Sequence, residues 1–172
     1  HLEDGTQLCA RSVVVASGAR YRKLDLPELP RFEGRGVYYG ATAMEGVLCK
    51  NSQVVVVGGG NSAGQACVFL SGVASRVHLV VRGQDLTATM SRYLIRRIEE
   101  TENIKLHCQS EVTALRGDDH LQSLEIQHRA SGKQQTLEVS ALFSMVGAVP
   151  KSDWLAGCVA LDSKGFVLTG RD

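Results

Sequence analysis

The chain of 172 residues reads as α/β, a parallel sheet packed by helices, with a small antiparallel β-meander as a third layer. Three observations predict this ββα arrangement. The β-branched run Val54–Val57 passes through Gly58, Gly59 and Gly60 into a helical pattern. A second apolar run, residues 77–81, follows so closely that one helix must link two parallel strands. Three alternating segments separated by turn residues then make the meander.

Taken in order, Asp4 and Gly5 form a turn signal inside residues 2–8, a hairpin pattern. Residues 12–16, around Val13, Val14 and Val15, read as a buried strand. Residues 20–46 carry Pro27, Pro30, Gly34, Gly36, Gly40 and Gly46, and so long an irregular stretch reads as a connection between two domains. Residues 54–57 are a fully buried strand. From Asn61 to Val73 the spacing predicts a helix with Ala63, Ala66, Phe69 and Leu70 inward. Residues 77–81 are the next strand. Residues 89–100 form a second amphipathic helix, Met90, Tyr93, Leu94 and Ile98 inward, Arg92, Arg96, Arg97, Glu99 and Glu100 mostly outward. A third strand at 104–107 precedes the meander of 111–116, 121–128 and 135–140. An apolar strand returns at 141–146 and breaks at Gly147 to Pro150. Trp154 with Leu155, then 159–161 and 166–169, are short hairpin pieces.

Composition excludes several classes. Lys plus Arg is 19 and Asp plus Glu is 18, a net charge of +1, so nothing draws the chain generally to nucleic acid or membrane. No apolar run approaches the roughly 20 residues that span a bilayer, and no signal-peptide pattern opens the chain. Five cysteines, an odd number with no C-x-x-C, argue against a disulfide framework or zinc knuckles. They read as reduced thiols in a cytoplasmic protein. His78, inside a strand, reads as a hydrogen-bonded core residue. His107, His120 and His128 receive no role. No residue is assigned to catalysis or to a metal.

The chemistry lies in Gly58 to Ala63, which fits G-x-G-x-x-A between a strand and a helix. That context makes it a Rossmann-type dinucleotide fingerprint. Gly58 permits the tight turn, Gly60 lets a pyrophosphate approach, and Ala63 allows close helix–strand packing. The helix N-terminus offers free N–H groups to the phosphates. An NAD site wants a carboxylate at the end of the second strand. Val81, Arg82 and Gly83 stand there instead, and Arg82 can pair a 2′-phosphate, so the pattern reads as NADPH over NADH. Arg92, Arg96 and Arg97 either add charge or form a solvated helix face.

Together these residues resemble the thioredoxin reductase-like branch of the two-dinucleotide-domain flavoproteins. Residues 12–19 resemble the strand and turn closing the first half of an FAD domain. Residues 54–66 resemble the NADPH fingerprint, 145–150 the G-x-x-P return, and 154–170 the start of the second FAD half. The resemblance implies an NADPH-binding domain at 37–147. It implies an FAD-domain part with linker at 1–36 and another FAD-domain part at 148–172. It adds Val146 and Gly147 to the cofactor set Gly58, Gly59, Gly60, Asn61, Ser62, Ala63 and Arg82. It implies FAD in the full-length protein only, hydride passing from NADPH to FAD, and an unknown electron acceptor. A homodimer through the FAD domain is compatible with it.

Three departures are visible. The C-A-T-C redox pair is replaced, its cysteine positions holding Gly40 and Ala43. The H-R-R of the 2′-phosphate site keeps only Arg82. The acidic helix start after the glycines has become Asn61, Ser62, Ala63, Gly64, Gln65 and Ala66. This variant resembles reductase-like modules fused to regulatory domains. The rival expectation is therefore a non-catalytic NADP(H)-sensing module.

Overall fold

The inner strands of the predicted sheet bury both faces, and the computed structural model, which describes residues 4–170, shows why. The elements are β1 (Ala19–Tyr21), α1 (Leu29–Phe32), β2 (Val37–Tyr38), α2 (Ala43–Leu48), β3 (Gln53–Val57), α3 (Asn61–Ser71), β4 (Arg76–Val80), α4 (Arg92–Glu99), β5 (Ile104–His107), β6 (Ser110–Gly117), β7 (Leu121–His128), β8 (Gln134–Glu138), β9 (Ala141–Ser144) and β10 (Ala148–Pro150). A 3-10 turn spans Asp153–Leu155. They fall into two compact units, Arg22–Gly147 and the paired terminal segments before and after it.

In Arg22–Gly147, β2, β9, β3, β4 and β5 form a parallel sheet in that order. Its side chains alternate between two cores. Val54, Val56, Leu79 and Phe143 pack with Ala63, Ala66, Cys67 and Leu70 of α3 and Leu94 and Ile98 of α4. Val55, Val57, Val80 and Leu142 pack with Leu115, Leu124, Ile126 and Leu137 of the antiparallel sheet β6-β7-β8. Helices, parallel sheet and meander are thus the three predicted layers. Among the described residues no helix is long and apolar enough to cross a membrane.

Several expectations need correction. Residues 22–36 are not a bare connection, because Leu29 and Phe32 of α1 are buried in the second core beside Leu24 and Leu26. The compact unit that holds them spans Arg22–Gly147. Phe69 is 41 % exposed and Tyr93 63 % exposed, though periodicity predicts both inward. Gly64 and Cys67 take that inner face on α3. The stretch from Gly147 to Pro150 does not simply break the chain, since β10 lies within it.

In the terminal unit, β1 pairs antiparallel with β10 from Ala19–Pro150 to Tyr21–Ala148. An antiparallel bridge joins Leu161 to Val167. Asp162 Oδ1 closes the turn between them, accepting from the N–H groups of Lys164 at 2.7 Å and Phe166 at 2.9 Å. Residues 12–16 are not a buried strand: Val14 is 90 % exposed and no described strand lies beside it. β-branched residues make a strand only where a neighbour takes up their N–H and C=O groups. Of the hairpin expected at 2–8, Leu2 and Glu3 lie outside the described residues and Thr6 to Leu8 are not a strand. Asp4 Oδ1 instead accepts from the Thr6 N–H at 2.9 Å.

Candidate dinucleotide-binding site

The site begins where β3 ends. β4 lies on one side of β3 and β9 on the other, so the chain reverses direction across the sheet there. Open α/β sheets bind ligands outside the carboxyl ends of strands at such a switch point. A cavity of about 530 Å³ opens at this place. Gly58, Gly59, Gly60, Asn61, Ser62, Arg82, Val146 and Gly147, all expected from the sequence, line it. Ala63 does not. It is fully buried, and a Cβ on Gly58 would lie 3.1 Å from its own Cβ, so it serves the packing of α3 on the turn.

The three glycines have different reasons. Gly58 has φ +148°, and a Cβ there would sit 2.5 Å from the Met145 carbonyl oxygen. The fold itself demands glycine at that point. At Gly59 a Cβ would lie 3.1 Å from Val81 Cγ1. Gly60 has an ordinary φ of −94°, and the nearest atom to an added Cβ is Thr89 O at 3.9 Å. Among the described residues nothing crowds a side chain at Gly60. The open space suits a ligand that must come close to the backbone, and this is the observation by which the turn fits a pyrophosphate. Gly60 is also the N-cap of α3 and no side chain caps that helix, so its first N–H groups lack intrahelical partners.

The opposite rim is not legible in the sequence. Thr89 donates its hydroxyl to the Gly59 carbonyl at 2.8 Å. Asn61 Oδ1 accepts from the Ser91 N–H at 2.8 Å, so this side-chain oxygen holds the start of α4. Asp85 also lines the cavity, a carboxylate that the reading of residues 81–83 does not contain. The hydroxyl and then the backbone N–H of Thr87 hold it below the usual carboxylate range. Arg92, Arg96 and Arg97 are absent from the wall. Arg96 pairs with Glu100 at 2.7 Å and Arg97 donates to the Tyr93 hydroxyl at 2.7 Å, so the solvated-face reading holds for both.

At the positions of the missing redox pair, Gly40 and Ala43 bracket the start of α2. Thr42 caps that helix: its Oγ1 accepts from the Met44 N–H at 3.3 Å, and Glu45 Oε2 accepts from the Thr42 N–H at 2.9 Å. The nearby Cys49 is buried, and burial first, then Glu45, pushes its thiol up to about 11. It carries almost no thiolate at neutral pH. All five cysteines are free.

The chain belongs to the pyridine nucleotide-disulphide oxidoreductase family, whose model it matches over residues 1–171. It is 34% identical over 169 residues to a thioredoxin reductase of Mycoplasmopsis pulmonis, covering 98% of this chain and 53% of that protein. Identity to a component of the alkyl hydroperoxide reductase of Staphylococcus epidermidis is 30% over 171 residues, covering 99% and 33%. Among solved structures, the thioredoxin reductase from Giardia duodenalis superposes with a TM-score of 0.80 at 26% identity, over 90% of this chain and 50% of that one. The Lactococcus lactis thioredoxin reductase gives 0.76 at 26% identity, over 89% and 50%. The chain spans about half or less of the length of these relatives. The fold is the Rossmann-type α/β arrangement of an oxidoreductase family.

Proposed function

We propose that this chain supplies the NADPH-binding part of a flavin-dependent oxidoreductase resembling thioredoxin reductase. The observation that carries the reading is the unfilled approach at Gly60, at the N-terminus of α3 and at the switch point of the sheet. Gly58 to Ser62 would hold the pyrophosphate, Arg82 the 2′-phosphate, and Val146 and Gly147 the wall opposite. When bound, NADPH supplies the hydride that FAD accepts in a longer protein. Residues 22–147 would be the nucleotide domain, and the terminal segments would be parts of a flavin domain. In the terminal unit, the cavity beside Arg20, Lys151 and Trp154 measures about 240 Å³. Ligand pockets run to about 300–1,000 Å³, so we assign this chain no flavin contact and no flavin step.

Thermal unfolding with NADPH and with NADH tests the reading. A ligand at 100 times its dissociation constant adds about 2.7 kcal/mol. A rise with NADPH that shrinks in Arg82→Ala is expected. No rise with either nucleotide would overturn the proposal. Gly40 and Ala43 favour one rival, an NADP(H)-sensing module without turnover. Reduction of an artificial acceptor by the longer protein and NADPH would exclude that rival.

A further inference from the structure

We propose that Arg22 is the second cation of the site and, with Arg82, sets its preference for a 2′-phosphorylated dinucleotide. The proposal deepens the NADPH reading and rests on it. A second cavity of about 550 Å³ adjoins the one at the glycine turn. Val57, Arg82 and Val146 belong to the walls of both, so Arg82 stands at their junction. Arg22 lines the second cavity and is anchored to the first. Its N–H donates to the Gly147 carbonyl at 2.9 Å, and its Cδ lies 3.9 Å from where a Gly147 Cβ would be.

The charges in this wall decide the preference. They are Arg22, Lys23 and Arg82 against Asp25 and Glu111. Lys23 is held by Glu33 at 2.8 Å, and Glu111 faces Arg129 at 3.5 Å. Among the described residues Arg22, Arg82 and Asp25 enter no ion pair. Asp25 in this wall and Asp85 in the adjoining one oppose the two guanidinium groups, so both arginines are needed to offset the carboxylates and leave N–H groups that a phosphate dianion pairs with and a ribose hydroxyl does not. Without Arg22, Arg82 alone would stand against Asp25 and Asp85.

The test is the ratio of NADPH to NADH affinity, measured by calorimetric titration of the chain. Arg22→Gln is expected to lower the ratio about tenfold, with Arg22→Lys restoring part of it. Asp25→Asn is expected to raise it. A wild-type chain that prefers NADPH, joined to an Arg22→Gln ratio equal to wild type, would overturn the role of Arg22 and leave the NADPH reading standing. A wild-type chain that prefers NADH would overturn the inference while keeping a dinucleotide site. Binding of neither would overturn both.

Discussion

Gly58 and Gly60 stand two positions apart in one motif, yet different forces keep them. Gly58→Ala places a Cβ against a backbone carbonyl at positive φ, where neither side can yield. We expect a loss of about 2–4 kcal/mol in chemical denaturation. Gly60→Ala meets nothing closer than 3.9 Å. Its stability should stay within about 0.5 kcal/mol of wild type, while dinucleotide affinity falls. Wild-type affinity in Gly60→Ala would remove that residue from the site. Away from the site, His78 Nδ1 lies 3.0 Å from His107 Nε2, and His78 Nε2 lies 3.0 Å from Gln53 Oε1. The Gln53 oxygen can only accept, so His78 Nε2 carries the proton and Nδ1 accepts from His107. Burial first, then the charges of His107, Lys105 and Arg76, brings His78 down to about 4. The unfolded chain takes that proton near pH 6.5 and the folded one does not. Stability is therefore full above about pH 6.5 and lost as pH falls toward about 4. Denaturation midpoints across that window should fall, and His78→Gln should flatten the slope; an equal slope in both would refute this account.

Among the elements, the informative junction is α3 with α4. Asn61, in the first turn of α3, supplies the oxygen that satisfies the Ser91 N–H at the start of α4, where Ser91 makes no side-chain cap of its own. Asn61→Ala should cost about 0.5–2 kcal/mol, read as a lower melting temperature. No loss would mean that water replaces the bond. The same junction shows why helix periodicity misplaces Phe69 and Tyr93. Gly64 brings α4 so near that a Cβ would lie 3.1 Å from Leu94 Cδ1, and the inner stripe turns toward Gly64 and Cys67. A glycine adds nothing to an apolar count, so the pattern alone cannot find that face. The strands are easier to read. A five-residue run such as Gln53–Val57 has few ways to bury its valines other than between two layers.

For the molecule as a whole, the cavity at the glycine turn lies within Arg22–Gly147. NADPH should therefore slow amide hydrogen exchange at residues 58–63 and 82–89, and leave 4–18 unchanged. Protection confined to the terminal segments would place the nucleotide elsewhere. The parallel sheet, the meander and the glycine turn are all legible in the chain itself. Each is a local pattern of β-branched runs, turn residues and spacing that few conformations satisfy. Other features exist only in the folded arrangement. Val13, Val14 and Val15 stay exposed, because a strand exists only beside another strand. Arg22, Asp25 and Glu111 gather around the cavity next to Arg82, because groups far apart in the chain meet only when the sheet has folded. Electrostatic selectivity depends on those through-space distances, which sequence spacing does not record.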